Sequence, residues 1–430
     1  MKPILQVALD LINADRALKI AYESIEGGAD WIEIGTPLIK SEGMNIIRIM
    51  REKYPTKTII ADMKTMDTGS LETEMAAKAG ADIICILGAA DNSTIIDAVQ
   101  SARKYGIQIM IDLINVPDPV KRARELEKLG IHYLCIHTGI DEQMKGKKPF
   151  QVLEKLVTKT NLPIAVAGGL NSETAPKAIQ KGAQIIIIGG AITKAHNIRK
   201  ATQQIKKAII TQKPIPTELY KKYDKNQIRD AFSKTSTSNI SDAMHKQGAL
   251  IGIRPIRCGF HLVGQALTVK TIDGDWAKPI EAIDKAEPGN VLVIDVNRGT
   301  TAIWGELATW SAQQKKLAGV VIDGTVRDLE DLLKLNFPIF TRYIAPHAGE
   351  PKGFGEIGAE IICGGQKIRT GDWIIGDDSG VVVVPQEIAH EICNRALDIR
   401  EQENRIRQEI KQGGSLGSVL KLKKWEKKIG

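Results

Sequence analysis

The stretch Thr58-Ile-Ile-Ala-Asp-Met-Lys-Thr-Met-Asp-Thr-Gly69 decides the fold class of this sequence. It begins as a short apolar run, typical of a buried strand, and then places Asp62, Lys64 and Asp67 within six positions. Because alternate side chains of an extended segment share a face, we expect Asp62 and Lys64 to project together from the strand end. Asp67 would lie in the loop that follows. Such a group can bind a divalent metal and stabilise an enediolate, and a solvated charged loop is the alternative interpretation.

Apolar runs of the same kind recur through the first half of the chain, and their starts are 22 to 30 residues apart. The other seven are Gln6–Leu11, Trp31–Gly35, Ile83–Gly88, Gln108–Ile114, Tyr133–Gly139, Pro163–Gly169 and Ile185–Gly190. The stretches between them have the mixed polar and apolar pattern of covering helices. Eight apolar strands that alternate with helices predict a parallel sheet of the α/β class, closed into a (β/α)8 TIM barrel over residues 1–211.

Length and composition indicate a protein of two domains. The chain has 430 residues, which is more than one hydrophobic core usually serves. Hydrophobic residues make up 43% and charged residues 26%, as in ordinary globular proteins. Half of the net charge of +8 lies in the last thirty residues. We interpret their Lys-rich end as a solvated basic tail, so we expect no nucleic-acid partner.

The sequence also bears on location and on cysteine chemistry. No signal-peptide pattern precedes the first strand, and no apolar run reaches the roughly 18 residues that a membrane span needs. We therefore expect a cytoplasmic protein without membrane contact. The five cysteines are far apart and form no C-x-x-C pair, so we expect buried free thiols rather than disulfides or a zinc site.

Charged, polar or small residues stand at the ends of the predicted barrel strands. In a barrel these ends meet at the C-terminal mouth, where catalytic sites are built. The residues concerned are Asp10, Glu33, Asp62, Lys64, Gly88, Asp112, His137, Gly168, Gly169, Gly189 and Gly190. Since unpaired charge is costly to bury, a ring of charged strand ends favours a functional site over packing.

The two glycine pairs have a use of their own. Gly168-Gly169 and Gly189-Gly190 follow the last two strands and precede the starts of predicted helices. Backbone N–H groups in such turns can approach a phosphate beside a helix N-terminus. Tight turns that need a positive φ are the alternative interpretation, and the two are compatible.

These motifs together resemble a known family, the 3-hexulose-6-phosphate synthases of the orotidine-5′-phosphate decarboxylase suprafamily. The resemblance covers about residues 1–210 and rests on Gln6–Leu11, Glu33–Pro37, Asp62–Asp67, His137–Gln143, Ala167–Gly169 and Gly189–Thr193. The D-x-K-x-x-D motif is shared with the 3-keto-L-gulonate-6-phosphate decarboxylases, which remain the alternative. Those enzymes carry arginines after the histidine of strand 6, where this chain has Thr138-Gly139. That departure favours the synthase.

The resemblance implies reversible aldol addition of formaldehyde to D-ribulose 5-phosphate, which gives D-arabino-3-hexulose 6-phosphate in the ribulose monophosphate pathway. An aldol reaction without a Schiff base needs a cation to polarise the ketone. Glu33 and Asp62 would hold Mg²⁺ or Mn²⁺, ions that prefer oxygen ligands. Lys64 would stabilise the enediolate, and His137 would move the proton of the formaldehyde-derived hydroxyl.

Three further acids receive roles from the same resemblance. Asp10 and Asp112 would order Lys64 or the sugar hydroxyls. In the suprafamily the aspartate that corresponds to Asp67 enters the site of the neighbouring subunit. The resemblance therefore implies a homo-oligomer in which the barrels form a dimer.

The second half of the chain has a different pattern. Residues 212–227 are polar, carry two prolines and break the strand period, which predicts a linker. Residues 228–430 show no eightfold repeat and predict an α+β or β/β/α domain followed by the basic tail. Its expected elements are a capped helix near Ser238, strands at Gly264–Thr271, Asn290–Asp295, Gly319–Asp323, Ile339–Tyr343 and Asp372–Val384, and helices at Trp304–Lys316 and Glu387–Lys411.

The chemistry of this half is concentrated in Asp323-Gly-Thr-Val-Arg-Asp328, which follows an apolar strand. Glu306 stands 21 residues before Arg327, at the start of a predicted helix. Residues 228–410 resemble the swivelling β/β/α family that contains the ribonuclease E regulator RraA and the 4-hydroxy-4-methyl-2-oxoglutarate aldolases. The regulators lack the metal-binding acid after the arginine, whereas Asp328 is present here.

The aldolase branch of that family implies a second metal-dependent lyase. Asp328 would hold Mg²⁺ or Mn²⁺, with Glu306 acting through water, while Arg327 and the helix-start amides of Leu307 and Ala308 would bind a 2-oxo acid. A trimeric assembly of this domain is also implied. A non-catalytic regulatory or binding module, with Arg327 and Asp328 as a structural ion pair, is the alternative.

Overall fold

The computed structural model describes residues 2–420, and the chain forms two compact units. The first comprises the residues up to Lys222 and those from Glu401 onward, and the second comprises Tyr223–Arg400. These limits differ from the predicted domains, because part of the expected linker and the end of the expected second domain both belong to the first unit. The Lys-rich tail predicted from residue 421 onward lies outside the described residues.

Within the described residues, eight parallel strands of the first unit close into a barrel, as predicted. They are β1 (Ile4–Leu9), β2 (Trp31–Ile34), β3 (Thr58–Thr65), β4 (Ile83–Leu87), β5 (Gln108–Asp112), β6 (Tyr133–His137), β7 (Ile164–Ala167) and β8 (Ile185–Ile188). Each strand pairs with its successor, and β1 also pairs with β8. The strands are almost wholly apolar because helices cover their outer face and side chains fill the barrel interior.

Helices cover the barrel and connect its strands. They are α1 (Ala14–Glu26), α2 (Thr36–Glu42), α3 (Asn45–Lys53), α4 (Gly69–Ala79), α5 (Asn92–Tyr105), α6 (Pro119–Glu127), α7 (Ile140–Met144), α8 (Phe150–Val157), α9 (Ala175–Gln180), α10 (Gly190–Thr193) and α11 (Ile198–Thr211). The side chains of Asn13, Asp91 and Asp118 cap α1, α5 and α6 by accepting backbone N–H bonds. These N-termini lie at the end of the barrel where the strands terminate, so the caps fix loops at the mouth.

A nine-stranded mixed sheet, counted over the described residues, forms the centre of the second unit. The strands of this unit are β9 (Arg254–Pro255), β10 (Leu262–Lys270), β11 (Val291–Asp295), β12 (Ala302–Trp304), β13 (Gly319–Val326), β14 (Ile339–Ile344), β15 (Glu356–Ile357), β16 (Ile361–Cys363), β17 (Gln366–Ile368), β18 (Trp373–Asp377) and β19 (Gly380–Val384). The sheet runs in the order β19-β18-β10-β11-β13-β14-β9, with β12 beside β13 and β15 beside β10. The strands β16 and β17 form a separate hairpin.

The helices of the second unit are shorter than the predicted ones. They are α12 (Ile228–Phe232), α13 (Thr237–Ala243), α14 (Ala277–Lys285), α15 (Glu306–Gln314), α16 (Leu329–Lys334) and the first part of α17 (Ala389–Lys411), which is followed in the first unit by α18 (Leu416–Leu420). The helix expected from Trp304 begins at Glu306, because Ala302–Trp304 is extended as β12 beside β13.

Two further expectations can be compared with the structure. All five cysteines are free thiols, and four are buried while Cys258 is exposed. None of the helices in residues 2–420 combines the length and the apolar character that crossing a bilayer requires.

Candidate active site

A pocket of about 410 Å³ opens at the C-terminal ends of the barrel strands. All eight strands contribute to its wall, directly or through the residue that follows. The predicted site residues that line it are Asp10, Glu33, Asp62, Lys64, Asp112, His137, Gly168, Gly169, Gly189 and Gly190. The ring of strand ends inferred from the sequence therefore surrounds one cavity.

The end of β3 carries two charged residues of the opening stretch. Its pairing with β4 is irregular between Ala61 and Thr65, and Lys64 has a left-handed backbone conformation with φ 47°. The Lys64 Nζ atom lies 3.1 Å from Asp62 Oδ2 and 2.9 Å from Asp112 Oδ2. Lys64 and Asp62 are thus adjacent, but a local bend, rather than simple alternation along the strand, brings them together.

Neighbouring charges keep Lys64 protonated. Burial alone would lower the pKa of Lys64, but Asp62 and Asp112 outweigh that effect and raise the pKa above its usual value. Burial would raise the pKa of Asp112, whereas the hydrogen bond from His137 and the charges of His137 and Lys64 lower it to about 2. At neutral pH this corner of the pocket holds an ammonium group beside an ionised Asp112.

His137 is oriented by the same carboxylate. Its Nδ1 atom lies 2.9 Å from Asp112 Oδ2, the oxygen that Lys64 also contacts. The other oxygen, Asp112 Oδ1, accepts the backbone N–H of Ile114 at 2.9 Å. A neutral His137 therefore carries its proton on Nδ1 and keeps Nε2 as an acceptor. This arrangement suits an imidazole that takes up or releases a proton in the pocket.

Three carboxyl groups, those of Glu33, Asp62 and Asp10, interact with one another in the same pocket. The Glu33 side chain is buried, and Gln6 Nε2 donates to its Oε2 atom at 2.5 Å. Burial, followed by the charges of Asp62 and Asp10, raises the pKa of Glu33 well above its ordinary value. Loss of solvation beside neighbouring protein atoms, followed by the charge of Asp62, also raises the pKa of Asp10, although Asp10 remains accessible to solvent. A bound cation would relieve this mutual repulsion.

The glycines after β7 occupy turns that side chains rarely allow. Gly168 has φ 102° and Gly169 has φ 70°, and a Cβ atom on Gly168 would lie 2.3 Å from the carbonyl oxygen of Thr138. Over residues 2–420, the N–H groups of Gly168, Gly169 and Gly189 donate to no backbone carbonyl. The tight-turn interpretation is therefore correct for Gly168-Gly169 but not for Gly189-Gly190, because neither residue of the second pair has a positive φ. Both pairs leave backbone amides at the pocket wall, where an anion can be bound.

A second pocket, of about 170 Å³, lies in the second unit. Its wall contains the five residues assigned to this half from the sequence, which are Glu306, Leu307, Ala308, Arg327 and Asp328. Aromatic rings of Trp276 and Trp304 complete it. The β13 strand end and the start of α15 therefore meet at one cavity.

The contacts of Asp328 show how this second pocket is arranged. Asp328 has φ 58°, and its Oδ2 atom accepts the Glu306 N–H at 3.1 Å and lies 3.5 Å from Arg327 Nε. A Cβ atom on Gly305 would lie 2.3 Å from Asp328 Oδ2, so this approach requires glycine there. Glu306 Oε1 in turn accepts the indole N–H of Trp310 at 3.2 Å. One carboxylate oxygen thus already contacts a helix-start amide and a guanidinium.

Both halves of the chain match models of known protein families. The model of the orotidine 5′-phosphate decarboxylase / HUMPS family matches residues 3–205, and the RraA-like (Aldolase/RraA) model matches residues 237–383. The 3-hexulose-6-phosphate synthase of Bacillus subtilis strain 168 is 41% identical over 207 residues, covering 48% of this chain and 98% of that protein. The same enzyme of Mycobacterium gastri is 40% identical over 205 residues, covering 48% and 99%. The chain belongs to the 3-hexulose-6-phosphate synthase family.

The family match concerns the barrel, and it makes this half an aldolase-type enzyme. A solved structure, that of 3-hexulose-6-phosphate synthase from Salmonella typhimurium, shares 36% identity with a TM-score of 0.47, covering 49% of this chain and 100% of that one. The RraA-like domain is an addition beyond the length of these synthases.

The donor set of the barrel can be tested against the divalent metal implied by the synthase resemblance. Glu33 and Asp62 offer hard oxygen ligands. Burial, followed by the charges of Asp62 and Asp10, raises the pKa of Glu33, and a bound cation would offset those charges. No group of three or more His, Cys, Asp or Glu side chains in the described part of the chain is arranged to hold a metal. The oxygens of Glu33 and Asp62 fit an ion bound by one or two carboxylates, as Mg²⁺ commonly is.

Gly88, predicted among the strand ends, does not line the barrel pocket, and neither does Asp67. Its side chain is exposed in the loop before α4, where Oδ1 accepts the N–H of Thr68 at 2.7 Å. Met66 and Leu71, which flank it in sequence, are also exposed. Its assignment to a neighbouring subunit stays a prediction.

Three residues of the barrel site were not identified from the sequence. Gln6 orients Glu33, Gln143 lines the pocket, and Tyr220 enters the pocket from the segment that we expected to be a linker. Gln143 ends one of the motifs used for the resemblance, so a signal existed there. Nothing in the local sequence around Tyr220 indicates a role at the mouth of a barrel.

Proposed function

We propose that the barrel half catalyses the reversible aldol addition of formaldehyde to D-ribulose 5-phosphate, giving D-arabino-3-hexulose 6-phosphate. The observation that carries the proposal is the contact of Lys64 with both Asp62 and Asp112, beside His137 on the same Asp112 oxygen. An ammonium group fixed beside an oriented imidazole provides charge stabilisation and proton transfer together. The named relatives, at about 40% identity, support the same reaction.

Glu33 and Asp62 would hold the Mg²⁺ or Mn²⁺ ion. When bound, the metal supplies Lewis-acid polarisation of the ketone. Lys64 stabilises the negative charge that develops on the enediolate oxygen, because Asp62 and Asp112 raise the pKa of its ammonium group against the effect of burial. His137 transfers the proton to or from the formaldehyde-derived hydroxyl through Nε2, since Asp112 engages Nδ1. Asp10, at the pocket wall, orders the sugar hydroxyls.

The glycine pairs would bind the phosphate group of the sugar. Their turns place backbone N–H groups at one end of the pocket, where a phosphoryl dianion can accept several hydrogen bonds. Such an anchor holds the sugar while its other end reacts near Lys64.

Decarboxylation of 3-keto-L-gulonate 6-phosphate is the alternative for the barrel. Over the described residues, no arginine lines this pocket, and the wall after β6 presents Gly139. The guanidinium groups that the resemblance associates with that decarboxylase are therefore missing from the wall, which supports the synthase.

The test uses the purified full-length chain with ribulose 5-phosphate and formaldehyde. We expect hexulose 6-phosphate to form when Mg²⁺ or Mn²⁺ is supplied and to stop forming in excess chelator, with recovery when metal is returned. Failure to detect condensation or cleavage with either metal would contradict the proposal. Full turnover in excess chelator would support the proposed reaction but contradict the proposed metal requirement.

For the second unit we propose a metal-dependent lyase acting on a 2-oxo acid. The observation that favours it is the cavity in which Asp328, Arg327 and the start of α15 meet. A carboxylate for a metal, a guanidinium for a substrate carboxylate and helix-start amides form a frame for such an anion. A regulatory binding module is the alternative, for which no chemical group of this cavity would be needed. We further propose a cytoplasmic homo-oligomer, with dimeric barrels and trimeric second units.

A further inference from the structure

A strap, which we define as residues 212–222, follows the last barrel helix and is fastened to the loop after β7. The Ile215 N–H donates to the carbonyl of Ser172 at 3.0 Å, and the Ser172 hydroxyl donates back to the Ile215 carbonyl at 2.8 Å. The Asn171 side-chain amide donates to the Leu219 carbonyl at 3.2 Å. These bonds hold the strap beside the turn that carries the first glycine pair.

The strap delivers one side chain into the pocket. Tyr220 lines the cavity, is only 6% exposed, and has a left-handed backbone with φ 53°. Its ring lies against Gly190 so closely that a Cβ atom there would be 2.4 Å from the ring Cε2 atom. Its hydroxyl donates to Gln143 Oε1 at 3.2 Å, and its N–H donates to Glu401 Oε1 at 2.8 Å. Tyr220 thus joins α7, which follows β6, to the start of α10, which follows β8, across one end of the pocket.

Positive charge gathers around the same ring. The Lys222 ammonium lies 4.1 Å from the ring centroid, and the Lys194 ammonium lies 5.5 Å from it. Cations over an aromatic face are attracted by its quadrupole, so Tyr220 helps to hold both ammonium groups beside its own ring, which contacts Gly190. Neither lysine forms part of the pocket wall itself. That end of the pocket already offers backbone amides to an anion.

We infer that Tyr220 is a positioning residue for the phosphate group of the sugar phosphate. Its ring closes the phosphate end of the pocket, and it holds the Lys194 and Lys222 charges beside that ring, outside the pocket wall. Glu401, through the Tyr220 N–H, keeps the residue in its left-handed conformation. This inference rests on the proposed function of the barrel, and it adds that sugar-phosphate affinity depends on chain segments beyond residue 211.

The contacts argue against a purely mechanical fastening of the strap. Backbone bonds at Ile215 and Leu219 already attach it, and they lie outside the pocket. The ring of Tyr220 instead forms part of the pocket wall in a backbone conformation that bulky residues rarely adopt. The buried Glu401 side chain stabilises that conformation by accepting the Tyr220 N–H.

Steady-state kinetics on the full-length chain test the inference. We expect Tyr220→Ala to raise the KM for ribulose 5-phosphate at least about tenfold, while kcat and the KM for formaldehyde change less than about threefold. Tyr220→Phe, which keeps the ring but loses the hydroxyl that bonds Gln143, should raise that KM about two- to tenfold. Tyr22→Phe, at an exposed tyrosine of α1, is the matched control and should leave all constants unchanged.

Inorganic phosphate provides a readout that does not depend on turnover. We expect phosphate to bind the wild-type chain, measured by calorimetry, and to bind Tyr220→Ala and Lys222→Gln at least about fivefold more weakly. If the wild type binds phosphate in this way without any aldol turnover, the proposed function fails and the inference about the phosphate end stands. Equal phosphate affinity and equal KM in Tyr220→Ala and wild type would overturn the inference.

The role of Glu401 is tested by a rescue series. Glu401→Ala removes the acceptor for the Tyr220 N–H and should raise the ribulose 5-phosphate KM as Tyr220→Ala does, while Glu401→Gln, which keeps an acceptor oxygen, should restore most of the affinity. Glu403→Ala, on the same helix and paired with Arg407, is the control. Thermal denaturation of each variant separates affinity loss from unfolding. A loss of stability in Glu401→Ala without a KM change would reject its positioning role.

Discussion

The Nδ1 atom of His137 lies 2.9 Å from the Oδ2 atom of Asp112, and that same oxygen is 2.9 Å from the ammonium of Lys64. One carboxylate therefore orients both the proton-transfer group and the charge-stabilising group of the proposed aldolase. The arrangement depends on an ionised Asp112, and His137 and Lys64 maintain that ionisation by lowering its pKa to about 2 despite its burial.

The lowered pKa of Asp112 predicts a specific dependence of stability on pH. Since the pKa of Asp112 is about 2 in the folded protein and 3.8 for an ordinary aspartate side chain, the carboxylate stabilises the fold above pH 3.8. That contribution is lost as the pH falls from 3.8 towards 2. Its size is about 2 kcal/mol. Urea unfolding should therefore show Asp112→Asn to be less stable than wild type at pH 6, with the difference shrinking at pH 2.5.

The matched control for that measurement is Asp118→Asn, at an aspartate that caps α6 on the surface. Its difference from wild type in the same acidic window should be smaller than that of Asp112→Asn, because it lacks the two cationic partners. A stability difference for Asp112→Asn that is independent of pH would contradict the assigned ionisation.

Substitution of Lys64 or Asp62 should lower the activity of the barrel more than substitution of other barrel residues. We expect Lys64→Ala and Asp62→Ala each to lower kcat/KM by at least roughly two orders of magnitude, because each removes charge stabilisation that is strongest in the transition state. Lys78→Ala, at an exposed lysine paired with Glu74, should behave as wild type. Near wild-type turnover in either active-site variant, in a folded protein, would disprove its assignment.

Substrate choice separates the two related barrel activities. We expect 3-keto-L-gulonate 6-phosphate to be a poor substrate compared with hexulose 6-phosphate, because Gly139 and the rest of the described pocket wall offer no guanidinium. Parallel kcat/KM measurements with both sugar phosphates on one enzyme preparation make the comparison. Comparable efficiencies would reverse the choice between synthase and decarboxylase.

Asp67 provides a test of subunit sharing. It lies on the surface outside the pocket of its own chain, so a catalytic role would require it to act on a neighbour. Mixing inactive Lys64→Ala chains with Asp67→Ala chains should restore part of the activity, because hybrid dimers contain one intact site. Absence of recovery, after subunit exchange has been demonstrated with labelled chains, would exclude a role across the interface.

The second unit can be assayed in the full-length chain once the barrel is inactivated by Lys64→Ala. We expect slow, metal-dependent decarboxylation of oxaloacetate, because Asp328 would hold a divalent metal that supplies Lewis-acid stabilisation, while Arg327 would bind the substrate carboxylate. Asp328→Ala and Arg327→Ala should each abolish it, whereas Asp331→Ala, which removes an exposed ion pair with Lys334, should not. If none of these changes affects the rate, or no rate is found, the regulatory-module alternative is favoured.

Much of the barrel and its site could be predicted from the sequence, because the patterns that indicate them involve residues close together in the chain. In the sequence, the strands are recognised as apolar runs with a regular spacing. A closed barrel then brings the C-terminal end of every strand to the same mouth. Asp10, Glu33, Asp62, Lys64, Asp112 and His137 could therefore be grouped without any knowledge of distances. The second unit followed the same logic, since Arg327 and Asp328 stand at the end of β13.

Other features were decided by tertiary structure alone. Lys64 reaches Asp62 and Asp112 through a left-handed bend, which alternation along a strand does not predict. Tyr220 was assigned to a linker because its neighbours are polar and include prolines. It enters the pocket because its N–H bonds to Glu401, 181 positions later in the chain. The local pattern of apolar and polar residues indicates which face of a helix or strand is buried. A contact between residues that are distant in sequence depends instead on how the folded chain brings them together.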